Sequence, residues 1–310
     1  MTKPKTQKKM ITMMTKNRGK NKNKNKNKTL KKVNCSPKDK NEINDFTCYT
    51  DKNLYKLRDL WNARHPDVEI TSTDPKEIHS SLTNYMSKAC NKESCWLKQK
   101  FLDNKTINEL TDSFAPESPK EWKKNPNEWL SSVDIMNVMK QYEKAYKCFD
   151  FIGPTPIDFD KKMLYGECVW DELCNFSLSD QIAKGKTKIG IVFNTDPHDK
   201  SGEHWISMFI NIKKRKIFFF DSNGDKAPKE VMVLVKRIIK QSKQLNIEFK
   251  FDQNHPVEHQ YGDTECGIYS LFFISHMLED KFTENYLKTH ILKDKYMQKF
   301  RKVYFNESLA

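Results

Sequence analysis

The chain has 310 residues and a formal net charge of +14, room for one catalytic domain with extensions. No apolar run approaches the ~18 residues of a membrane span, and Met10 to Met14 is too short and too closely flanked by lysine for a secretory signal. A soluble protein that is neither secreted nor membrane-bound is expected.

Residues 1–40 hold 15 of the 55 basic residues and one of the 41 acidic ones, so all the excess charge lies there. With GKNKNKNKNK at Gly19 to Lys28 and no apolar periodicity, residues 1–45 read as a disordered Lys/Asn-rich tail. Two readings of it stand open: non-specific contact of 1–40 with nucleic acid or another polyanion through counterion release, or a solubilising, compositional tail. Without a signal peptide the eight cysteines read as reduced thiols. Cys90 with Cys95, and Cys168 with Cys174, lack the histidine partners of a zinc site, so neither metal nor cofactor is expected.

Residues 46–115 form a small helical domain. Leu54, Leu57, Leu60 and Trp61 make an apolar stripe between a cap at Thr50 or Asp51 and the stop at Pro66. A second helix starts at Pro75 after Asp74, with Ile78, Leu82, Tyr85 and Met86 on one face. Packing on the rest of the chain, substrate recruitment and docking on a protein shell remain open as its role. A Pro- and Lys-rich linker covers 115–126, within or just before a catalytic domain assigned to 116–310. Trp129 then begins a helix carrying Val133, Ile135, Met136, Val138 and Met139. Thr155 to Asp158 ends an extended segment, and Ile189 to Phe193 reads as a central strand.

From His204 the run WISMFINI, four basic residues and IFFF ending at Asp221 read as a β-hairpin. A turn centred between Ile212 and Lys213 sets His204 opposite Asp221; one centred further on offsets them by a few residues. Lys226 to Leu245 is an amphipathic helix, Ile247 to Phe251 a strand, and Glu284 to Lys302 basic amphipathic helices covering the sheet edge. Between them Cys266 opens a buried helix, with Asp263 or Thr264 placed to cap it. A helix N-terminus and a nearby imidazolium both favour thiolate. Cys266, His204, Asp221 and Gln260 can therefore supply nucleophile, base, orienting carboxylate and oxyanion donor. Singly, each has a plainer reading: buried small hydrophobe, strand histidine, turn aspartate, loop glutamine. Their order, with a hairpin between the first pair and a buried helix after the last, overturns these. The sum is an α+β fold, a central mixed sheet flanked by helices.

HW, an Asp in FFDSNG seventeen residues after the His, and Q-x5-C-G entering an apolar helix resemble the cysteine proteases that include the adenovirus protease and the SUMO-specific proteases. NEWLSSVDIMNVMKQY resembles the helix preceding the core in that clan, and FIGPTPIDF its counterpart in the polyprotein-processing proteases of large cytoplasmic DNA viruses. The resemblance spans roughly Asn127 to Leu278, and the order His, Asp, Cys argues against papain-like enzymes. It implies that Trp129 and Trp205 wall a narrow channel for Gly-Gly-type sites, although Trp129 also fits plain core. Some viral relatives use an Asn two residues after the Asp position, so Asn223 stays open beside Asp221 as third triad member. Glu265 stands where the family often has Asp, with little consequence expected. The implied activity is a thiol endopeptidase cutting viral precursor proteins during maturation, in the virion and host cytoplasm. Removal of ubiquitin-like modifiers, or a nucleic-acid-binding virion protein on a dead protease scaffold, are the alternatives.

Overall fold

The computed structural model describes residues 30–38 and 42–307. The tail expectation over 1–29 lies outside them. The packed N-terminal region reaches back to Leu30, and Cys35 bridges Phe114 in an antiparallel pairing.

That region holds three helices, α1 (Asp51–Arg64), α2 (Pro75–Met86) and α3 (Asn104–Thr111). Thr50 caps α1 by accepting from the Asn53 amide, and Asp74 caps α2 ahead of Pro75. Leu54, Leu57, Ile78, Leu82 and Trp96 bury into a core of their own.

Next come α4 (Ser132–Ala145), β1 (Phe149–Pro156), α5 (Asp171–Cys174), α6 (Leu178–Ala183) and β2 (Lys188–Asn194). The hairpin follows as β3 (Trp205–Asn211) and β4 (Lys216–Phe220), then α7 (Lys229–Gln244) and β5 (Lys250–Gln253). The chain closes with α8 (Cys266–Leu278), α9 (Glu284–Thr289) and α10 (Asp294–Tyr304). Strand order is β1-β2-β3-β4-β5, with β1/β2 and β4/β5 parallel and the two central pairings antiparallel. This is the mixed sheet expected. Every residue of β3 is buried, because alternate side chains enter two different cores. Phe209, Phe218 and Phe220 face α8 and α4, while Ile206, Met208 and Phe219 face α7.

Several boundaries differ from the sequence expectation. Ser131 and Asp134 form a reciprocal capping box, so α4 starts at Ser132 and leaves Trp129 in the preceding loop. The linker is partly packed: Trp122 lies against the core and donates its indole N–H to Glu128 O at 3.0 Å. The C-terminal helices form as expected, with α9 tied to β5 through Lys288–Asp252 at 2.9 Å and α10 packed on α8. Cys35–Cys48, Cys90–Cys95 and Cys168–Cys174 are disulfides, which overturns the expectation of reduced thiols for six cysteines. The cause is proximity, since the partners lie only 13, 5 and 6 residues apart on segments that fold back. Cys148 and Cys266 are free. Among the described residues no helix is long and apolar enough to cross a membrane.

Phe273 of α8 stacks on Phe220 with ring centroids 5.0 Å apart, coupling the buried helix to the hairpin. Phe273→Ala is expected to cost about 3–5 kcal/mol of stability by leaving a cavity there. A urea-denaturation shift below about 1 kcal/mol would contradict this packing.

Candidate active site

The hairpin brings His204 to Asp221 by the offset register. Ser207 pairs with Phe220 and Asn211 with Lys216, so the turn is centred between Lys213 and Lys214. Continuing that register past the strand ends sets His204 opposite Asn223 rather than Asp221. Nevertheless His204 Nε2 lies 2.8 Å from Asp221 Oδ1, with the two side chains only 14% and 6% exposed. Asn223 is exposed and approaches this pair through its backbone amide, which donates to the same Asp221 oxygen at 2.8 Å.

Two asparagines absent from the sequence reading hold this geometry. Buried Asn254 accepts from the Asp221 amide at 2.9 Å and donates to the Asp221 carbonyl at 2.7 Å. Asn194 Oδ1 accepts from the amides of Asp196 and Glu203, shaping the turn that delivers His204. No local pattern marks either residue, because each acts on a segment distant in sequence or across a strand end.

Cys266, 1% exposed, is the first residue of α8, and its thiol lies close enough to the His204 ring to favour the charged imidazole. Since Nε2 is taken by Asp221, Nδ1 is the nitrogen left for sulfur. Burial alone would lower the His204 pKa; hydrogen bonds and charge from Asp221 and Cys266 outweigh it and push the value up to about 10. At neutral pH the ring is therefore an imidazolium between a carboxylate and a sulfur.

The expected cap by Asp263 or Thr264 is not formed. Glu265 occupies the cap position without a side-chain cap bond, leaving the first amides of α8 free of a side-chain acceptor. Its carboxylate instead receives Arg301 Nε at 2.9 Å, with the arginine and glutamate side chains 5% and 1% exposed. Gln260 is buried; its Oε1 accepts from Ser222 Oγ at 2.8 Å and its Nε2 donates to Gly262 O at 2.7 Å. An amide NH2 carries two protons, so one Nε2 proton remains for another acceptor.

Beside these residues lies a cleft of about 560 Å³, lined by Trp129, Pro154, Pro156, Trp170, His198 and Trp205 among others. Trp129 is 36% exposed, while Trp205 is buried and donates its indole N–H to Leu130 O at 2.9 Å. The structure thus brings His204, Asp221 and Cys266 together, with Gln260 on the adjoining loop and both tryptophans on the neighbouring cleft.

A sequence profile described as the Ulp1 protease family, C-terminal catalytic domain, matches residues 135–309. A protein of Acanthamoeba polyphaga mimivirus that bears the name of a thiol protease is 28% identical over 240 residues, covering 74% of this chain and 75% of that protein. A SUMO-1 cysteine protease of African swine fever virus (isolate Pig/Kenya/KEN-50/1950) is 26% identical over 249 residues, covering 71% and 87%. The crystal structure of an African swine fever virus protease superposes with a TM-score of 0.65 at 21% identity, covering 90% of this chain and 98% of that one.

A raised imidazole pKa means that the charged form persists to higher pH. In an NMR titration His204 is expected to stay protonated at neutral pH and lose its proton near pH 10, and Asp221→Asn should move the midpoint down. A midpoint near the ordinary value of about 6.5 would contradict the arrangement.

Proposed function

Since the chain belongs to the Ulp1 protease family and is a cysteine protease, we propose that it cleaves viral precursor proteins at Gly-Gly-type sites through Cys266, His204, Asp221 and Gln260. The observation that carries the assignment is the His204–Asp221 pair at 2.8 Å beside the thiol at the first turn of α8. Cys266 attacks the scissile carbonyl, and the departing amine takes a proton from His204. Asp221 fixes the ring and stabilises its charge better than the amide of Asn223 would. The Cys266 amide and the spare Nε2 proton of Gln260 hold the oxyanion. Water then releases the acyl group, with His204 as base.

Trp129 and Trp205 on the cleft support a channel that favours glycine, which leaves no side chain to accommodate. Precursor maturation places the enzyme in the virion and the host cytoplasm. The basic residues 1–40 add non-specific affinity for nucleic acid in this reading. A second reading, removal of a SUMO-like modifier, is favoured by the name of the African swine fever virus relatives.

The test is the intact mass of the chain after incubation with a Gly-Gly peptide ending in a carbon electrophile. An adduct is expected on the wild type and none on Cys266→Ala; equal labelling of both would sink the assignment. Precursor fragments spanning Gly-Gly and SUMO conjugates, offered side by side, separate the two substrate readings. Gln260→Ala is expected to lower kcat about 100- to 1000-fold, the usual loss for one oxyanion donor, and an unchanged kcat would remove Gln260 from the mechanism.

A further inference from the structure

The segment Gln260–Glu265 carries the proposed oxyanion donor and leads into the proposed nucleophile, yet none of its residues belongs to a helix or strand. Two residues of α10 grip it from outside. Asp294, in the first turn, accepts the Tyr261 and Gly262 amides on one carboxylate oxygen at 3.0 and 2.9 Å. Its other oxygen lies 3.0 Å from the hydroxyl of Tyr269 on α8. Arg301 holds the far end of the segment, through the Glu265 carboxylate at 2.9 Å and the Thr264 carbonyl at 2.9 Å. The same guanidinium donates to the carbonyls of Asn127 and Glu128, just before the Trp129 wall of the cleft, and lies 4.5 Å from the centre of the Trp122 ring.

Asp294 and Arg301 stand seven residues apart. That is about two helical turns, so both project from one face of α10, some ~10 Å apart along its axis. The near end of this bracket holds the Gly262 amide, and the carbonyl of the same residue, one peptide unit on, receives Gln260 Nε2 at 2.7 Å. The far end sets Glu265, whose peptide carries the Cys266 amide. Both proposed oxyanion donors are therefore one peptide unit or one hydrogen bond from a group held by the same helix.

We infer that Asp294 and Arg301 are positioning residues: a bracket on α10 that fixes the spacing between Gln260 Nε2 and the Cys266 amide. The inference rests on the oxyanion assignment made above. It carries a specific signature, because a bracket acting on the oxyanion donors affects acyl transfer and leaves thiol alkylation alone. Iodoacetamide is attacked at carbon with loss of iodide and develops no oxyanion, so its rate depends on the Cys266–His204 pair only.

The experiment compares full-length wild type, Gln260→Ala, Asp294→Ala and Asp294→Asn on a fluorogenic Gly-Gly peptide, with Cys266 alkylation by iodoacetamide measured across pH in parallel. Asp294→Ala is expected to lower kcat at least about tenfold with KM within about threefold, a fraction of the loss typical for a whole oxyanion donor. Its alkylation rate and pH profile should match the wild type. Asp294→Asn, which keeps an acceptor oxygen, should recover part of kcat. Should Asp294→Ala retain the wild-type kcat while Gln260→Ala loses it, the bracket is overturned and the oxyanion assignment stands. A fall of alkylation in step with kcat would overturn the bracket as well, by showing general loosening of the site. Retention of kcat by Gln260→Ala would remove the oxyanion assignment and the bracket with it.

Discussion

The burial of α8 on nearly every side, up to and including its first residue Cys266, is the constraint around which the molecule is arranged. All of α8 except His276 is buried, between the β2–β3 face of the sheet and helices α4 and α10. Burial leaves no polar stripe on this helix, and the sequence marks it through apolar residues mostly at helical spacing after Cys266, such as Ile268, Leu271, Phe272 and Leu278. The same burial fixes where Cys266 lies to within the packing tolerance of a protein interior. Close approach is needed at one point in particular: a Cβ on Gly267 would come within 2.9 Å of Leu130 Cβ.

Electrostatics adds a second constraint on the same place. A protonated imidazole in a mostly buried site is costly unless anionic or hydrogen-bonding partners surround it. His204 has Asp221 on Nε2 and Cys266 nearby, and Asp221 is in turn held through its backbone by Asn254. The arrangement forms a chain of orientation from Asn254 to Asp221 to His204 to Cys266, each link made by a different segment of the fold.

Much of this is legible in the sequence because the chemistry is local. The hairpin, the apolar helix after Cys266 and the loop glutamine are each marked by residues within a few positions of one another. The hairpin offset is not legible, since four consecutive basic residues give a turn no preferred centre; Arg215, at φ +56°, supplies the left-handed residue that glycine more often provides. The apolar pattern puts the start of α4 at Trp129, too early, because it begins before the Ser131–Asp134 box that sets the boundary. Glu265 reads as a bland replacement for Asp, but its partner Arg301 lies 36 residues away and no spacing rule connects them. The disulfides escape the sequence for a related reason: compartment is inferred from the absence of a signal, while pairing is decided by which loops meet.

Leu130 joins one wall of the cleft to the start of α8. Its carbonyl accepts the Trp205 indole, which fixes one wall of the cleft, and its side chain lies against Gly267, one residue beyond Cys266. Trp129, its neighbour, is partly exposed on the cleft. In the proposed mechanism a change at Trp129 alters one wall of the cleft alone, whereas a change at Leu130 reaches both the Trp205 wall and the packing beside Cys266.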